Sequence, residues 1–201
     1  MKKSLLIITW SITMLLKLQA QPKHGIENYN ILSPGKAAVW IPVIHYKGNR
    51  QFYAEARYNY EELNTGSVYA GRSFEKGSKI KYTVTPMAGI VFGQYNGLSA
   101  AANTSADYRR FNFSCQLQYT VNTKNRKENF YYNWSELSYS FFEKLYGGIS
   151  LQQTLLYKTR LETTAGLLIG YSSGKITIPV YLFSPAKADR HLMTGIIIEW
   201  D

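Results

Sequence analysis

Cysteine is almost absent from this chain: Cys115 is the one thiol in 201 residues. A single thiol excludes an intrachain disulfide framework and any zinc site built on cysteines. Histidine is scarce too. His24, His45 and His191 are scattered, a poor basis for a metal motif. Acidic residues number 13 against 23 Lys and Arg, a formal charge of +10. Past residue 20 no run of 18 consecutive apolar residues occurs, which excludes a transmembrane helix there. No window keeps a 3.6-residue apolar period, so amphipathic helices are not expected. No glycine pattern cradles a phosphate, and 89–93 (GIVFG) reads as strand. Aromatic residues, by contrast, are abundant at 15%, with 17 Tyr, and the 45% hydrophobic content excludes a disordered tail.

The first twenty residues have the layout of a secretory signal peptide. Met1-Lys2-Lys3 is a basic start, Leu5 to Leu16 is apolar, and Leu18-Gln19-Ala20 ends on a small residue. Twelve apolar residues are too few for a span, which needs about 20. Cleavage after Ala20 removes three Lys and no acid, leaving 181 residues with charge +7. The missing cysteine at this boundary argues against a lipid-anchored terminus.

Period two dominates the remainder. In 111–122, Phe111, Phe113, Cys115, Leu117, Tyr119 and Val121 share one face, and Asn112, Ser114, Gln116, Gln118, Thr120 and Asn122 the other. In 51–60, Phe52, Ala54, Ala56, Tyr58 and Tyr60 oppose Gln51, Tyr53, Glu55, Arg57 and Asn59. Looser alternation or strand-like composition covers about 38–46, 66–74, 80–92, 98–109, 130–142, 147–157, 161–172, 175–183 and 192–200. Short polar or glycine-containing breaks between the runs read as hairpin turns. The runs carry no sequence repeat, which disfavours solenoids and propellers. No linker or shift in composition divides the chain.

A soluble β-sandwich and a closed barrel both fit regular strands with short turns. The polar face separates them. A soluble sheet exposes Lys and Glu, whereas this face carries mainly Asn, Gln, Ser, Thr and Gly. Strands of 9–11 residues also suit a tilted crossing, with the apolar face outward to lipid and the polar face inward. Tyr46, Tyr58, Tyr60, Tyr108, Tyr131, Tyr157, Tyr171 and Trp200 fall towards strand ends, where interfacial girdles lie. The expected fold is therefore all-β: a transmembrane antiparallel up-and-down β-barrel over 37–201, preceded by a segment 21–36.

The closing residues Ile198-Glu199-Trp200-Asp201 resemble the last strand of bacterial outer-membrane proteins, whose aromatic end is read by the insertion machinery; Asp201 departs from that pattern. Phe52 to Thr65 (FYAEARYNYEELNT) and Tyr131 to Ser138 (YYNWSELS) resemble stretches in small outer-membrane β-barrel proteins of uncharacterised type. The resemblance implies a bacterial outer-membrane location and carries over no catalytic residue. Single-chain bacterial barrels have even strand numbers. Eleven runs are visible, so either Gly25 to Leu32 adds a twelfth, the preferred reading, or 38–46, with Pro42 inside it, drops out and ten remain.

Alternation places Glu55, Arg57, Lys81, Asp107, Arg109, Glu136, Glu162 and Glu199 inside. Buried charges must pair or stay hydrated, so these eight are expected to form a lumen charge network. The leading function is structural or limited passive transport through a largely filled polar lumen. The alternatives are a lipid-modifying barrel enzyme (acyl hydrolase or acyltransferase) and a soluble periplasmic β-domain that binds a ligand. Neither His45 nor His191 has a local Ser partner, and no cofactor or metal is implied. The basic segments 123–129 (TKNRKEN), 158–160 and 187–190 suit the phosphates of surface lipids rather than nucleic acid.

Overall fold

The computed structural model describes residues 22–125, 128–156 and 160–201. The leader expected at 1–20 and the girdle residue Tyr157 lie outside the described residues. Thirteen strands follow one another: β1 (Lys23–Leu32), β2 (Val39–Lys47), β3 (Phe52–Tyr58), β4 (Thr65–Arg72), β5 (Phe74–Lys76), β6 (Lys81–Gly93), β7 (Gly97–Tyr108), β8 (Phe111–Asn122), β9 (Phe130–Ser140), β10 (Leu145–Leu156), β11 (Glu162–Ser173), β12 (Ile176–Phe183) and β13 (His191–Trp200). Each pairs antiparallel with its neighbours, β1 pairs with β13, and β4 pairs with β6, so the sheet closes on itself. β5 continues β4 against β6 in one register, Gly71 opposite Met87 and Phe74 opposite Val84. The two form one stave, and the barrel has twelve. β1 is the strand hidden in the sequence, and β2 stands in the wall despite Pro42, which excludes ten.

The prolines explain the irregular ladders. Pro has no N–H to donate. The β2–β3 ladder stops at Val43–Arg57, one residue short of Pro42. The break between β4 and β5 faces Pro86, where Thr85 Oγ1 donates to Ser73 Oγ at 3.0 Å. In β12–β13 pairing lapses between Thr177 and Val180, around Pro179.

Side chains alternate across the wall as the strand pleat requires. The outward face is apolar: Ile44, Leu98, Ile149, Leu167 and Ile169 are each more than half exposed. A belt of this extent is foreign to a soluble monomer and suits hydrocarbon. Outward aromatic residues ring both rims, with Tyr46, Phe52, Phe111, Tyr139, Tyr171 and Trp200 at one and Trp40, Tyr58, Phe92, Tyr119 and Tyr131 at the other. From Phe111 to Tyr119 is roughly 27 Å along β8 at about 3.4 Å per residue. Tilted by about 40°, that spans roughly 20 Å, close to the height of a barrel's apolar band. Tyr60, expected in this girdle, is instead turned into the barrel.

The rim carrying the start of β1 and the end of β13, here the terminal rim, has connections of two to four residues. Those at the opposite, far rim have three to seven. Short turns on the side of the chain ends and longer loops opposite are the arrangement of bacterial outer-membrane barrels.

Candidate functional site

The inward face of the wall builds the candidate site. β3 carries Tyr53, Glu55 and Arg57 inward on alternate positions. The wall then breaks. Asn59 and Asn64 both take left-handed backbone, φ 58° and 55°, which Asn tolerates. They frame a six-residue turn that folds towards the lumen. Asn59 ties its base by donating Nδ2 to Trp40 O at 2.9 Å and accepting at Oδ1 from Asn64 N at 2.8 Å. Tyr60 and Glu61 are thereby carried inside.

Arg57 is the hub of what results. It is buried, donates Nε to Glu55 Oε1, and donates a guanidinium N–H to Gln118 Oε1 at 2.9 Å. The rings of Tyr60 and Tyr69 lie against its guanidinium, with centroids 4.4 and 4.7 Å away. Gln118 in turn donates to Glu61 Oε1 at 3.0 Å, and Tyr69 OH reaches the same oxygen at 3.1 Å. Tyr60 OH donates to Gln116 Oε1. The second oxygen of Glu55 accepts from Tyr53 OH at 2.5 Å and from Asn103 Nδ2 at 3.1 Å. The network thus spans the lumen from β3 to β7 and β8. On the other side Tyr29, Trp134 and Tyr181 pack edge to face, 5.3 and 5.5 Å between centroids, with Phe183, Leu168 and Met193 beside them.

Towards the terminal rim the lumen opens into a cavity of about 470 Å³. Its walls include Glu27, His45, Asn103, Gln116, Trp134 and Glu136, and Lys23, Lys47, Glu75 and Glu199 lie at its mouth. His45 Nδ1 is 3.3 Å from Glu27 Oε1, and its Nε2 is 3.6 Å from Glu199 Oε1. Its ring lies flat over Gly25, the residue opposite in β1, where any Cβ would stand 2.2 Å from the imidazole. Glu27 also accepts from Tyr29 OH at 2.8 Å, and Glu136 from Ser150 Oγ at 3.4 Å.

The eight residues expected in a lumen network therefore divide. Glu55 and Arg57 form its centre, while Glu136 and Glu199 line the cavity. Lys81 and Asp107 face one another across β6–β7 at the terminal rim and are exposed. Arg109 is in the β7–β8 turn with φ 56°, its guanidinium over the Tyr108 ring, and Glu162 is exposed at the start of β11. Glu27, Glu61 and His45 join the site without having been expected there. Glu27 lies on the strand whose outward positions include Asn28 and Asn30, which blurs the alternation. Glu61 falls in what reads as an ordinary turn. Among the described residues no serine hydroxyl is hydrogen-bonded to a histidine. His24 stacks on Trp200, and His191 on Phe183.

No protein-family model matches the sequence, and no curated protein matches it significantly. Solved structures do match the fold. The NanC porin superposes with a TM-score of 0.62 at 11% identity, covering 88% of this chain and 99% of the porin. The KdgM porin gives 0.59 at 14%, covering 88% and 98%, and its complex with disordered oligogalacturonate gives 0.56 at 15%. OccAB4 of Acinetobacter baumannii gives 0.51 at 9%, covering 92% of this chain and 62% of that one. The chain has the fold of the outer-membrane porins.

Proposed function

We propose that this protein is a narrow outer-membrane channel for passive diffusion of small solutes, with its cross-section limited by its own 59–64 turn. The fold is shared with porins along nearly the whole length of the NanC and KdgM proteins. The apolar belt between two aromatic rims supports residence in a bilayer, with the terminal rim in the periplasm. The observation that carries the narrowness is the inward turn, which sets Tyr60 and Glu61 against Arg57, Gln116 and Gln118. Twelve strands lie between barrels of about eight, filled by side chains, and those of about 16–18, which leave a channel. The far-rim connections are too short to form an external domain. Their Lys36, Lys124, Lys187 and Arg190 suit the phosphates of surface lipid.

Single-channel recording of the refolded protein in planar bilayers tests this. The parent conducts weakly. Combining Arg57→Ala with Glu55→Ala removes the hub and raises the conductance, as does Tyr60→Gly. A large, steady conductance from the parent makes it a general porin. Silence in the parent and in both variants leaves a structural barrel without a transport role.

A further inference from the structure

The charge inside this barrel is opposite in sign to that of the chain. The sequence is formally +10. Between the rims, however, the inward-facing carboxylate, guanidinium and imidazole groups among the described residues are Glu27, Glu55, Glu61, Glu136, Arg57 and His45. Arg57 is balanced by Glu55. Of the remaining three carboxylates, Glu27 accepts from Tyr29 and lies 3.3 Å from His45, while Glu61 and Glu136 have neutral donors: Tyr69 and Gln118 on Glu61, Ser150 on Glu136. His45, beside Glu27, is the one further basic group. The lysines stand at the ends of the staves. Lys47 pairs with Glu75, and Lys81 faces Asp107.

A second observation points the same way. Two buried oxygens inside the barrel lack donors, while His45 Nδ1 is the one nitrogen there without a hydrogen-bond partner among the described residues. Glu61 is more than nine-tenths buried and its Oε2 has no hydrogen-bond partner, and neither has Asn103 Oδ1. A third comes from the walls, where Tyr29, Tyr53, Trp134, Tyr146 and Tyr181 line the cavity. Aromatic faces attract cations through the ring quadrupole. Carboxylate rings select cations in channels, because a low-dielectric wall focuses their field on the path.

From these observations, and resting on the channel reading above, we infer that the pore prefers cations, inorganic and amine-bearing, over anions. Glu27, Glu61 and Glu136 are its specificity-determining residues. A polyanion such as the oligogalacturonate in the KdgM complex meets repulsion in this lumen.

The test is a reversal-potential measurement across a KCl gradient, with refolded protein in planar bilayers and folding of each variant checked by its heat-dependent gel mobility. The parent reverses on the K⁺ side with a preference of about tenfold, equivalent to about 1.4 kcal/mol. The preference fades towards 1 M salt, where the screening length shrinks to about 3 Å. Glu27→Gln with Glu136→Gln lowers it at least about threefold, and Glu61→Gln lowers it further if the field of all three carboxylates adds. Current that favours Cl⁻, or an unchanged ratio in the double variant, overturns the inference and leaves the channel reading standing. No current from the parent or from Tyr60→Gly overturns both.

Discussion

At the scale of the residue, Arg57 carries the most. It is buried beside Glu55 and Gln118 and between two tyrosine rings, in a lumen where no other arginine of the described residues points inward at mid-height. Removing one partner of a buried pair strands the other charge, at a cost of about 3–5 kcal/mol. Arg57→Ala is therefore expected to lower stability by that order in urea titrations of the vesicle-inserted barrel. Adding Glu55→Ala should recover much of the loss, because the stranded charge goes with it. Adjacent positions on β8 give a sharper contrast. Leu117 points outward near mid-strand, and Gln116 points inward to Tyr60. Leu117→Arg should cost about 2–4 kcal/mol if it sits at the bilayer midplane, and Gln116→Arg less, since the lumen is polar. Equal tolerance at the two positions would reverse the assignment of faces. Cys115 shares the outward face with Leu117 and sets its Sγ 3.3 Å from Asn133 Oδ1, so water-soluble thiol reagents should label it slowly in intact vesicles.

At the scale of the element, the 59–64 turn shows how a local defect becomes a feature of the lumen. Pro42 has no N–H, the β2–β3 ladder ends beside it, and the chain leaves the wall two residues beyond Arg57. The side chain of Asn59 then replaces the missing wall contact on Trp40 O. Strand β10 shows the opposite constraint, a position where the wall leaves no space. A Cβ on Gly148 would come within 2.0 Å of Leu137 O, a backbone atom that cannot swing aside. Gly148→Ala should cost about 1–3 kcal/mol, the range of overpacking in a filled site. Urea midpoints for the refolded variant check this, and an unchanged midpoint would mean the wall relaxes there freely.

At the scale of the molecule, closure is what matters. Every stave has a hydrogen-bonded neighbour on both sides, so no edge is left for water or lipid to attack. The refolded protein should therefore resist detergent until boiled and migrate differently on a gel before and after heating. Identical mobility would count heavily against a closed barrel. Closure also sorts the charges. The basic surplus is held mostly in turns and at strand ends, among them Lys36, Arg72, Arg110, Lys144 and Lys187, while the carboxylates Glu27, Glu55, Glu61 and Glu136 lie within.

The alternation of β8, written in twelve consecutive residues, was enough by itself to determine strand, face and lipid-facing side, because the pleat sends successive side chains to opposite faces whatever the neighbours are. Even strand number followed once Gly25 to Leu32 was admitted, and Glu55 and Arg57 were legible as lumen residues from their phase alone. Periodicity could say nothing of what crosses the lumen. Glu61 lies 57 residues from Gln118 and Tyr60 lies 56 from Gln116, and the inward fold of the 59–64 turn brings them together across the lumen. The same holds for His45, read as a strand-end residue, which meets Glu199 because the last strand returns to pair with the first. Arg109 continued the inward phase of β7 on paper, but a two-residue turn ends the pleat before it, and its side chain stays at the rim. Phase is a local property of the backbone and survives in the sequence; the charge a solute meets inside depends on where turns stop that phase and which distant strands face each other, and that only the closed barrel decided.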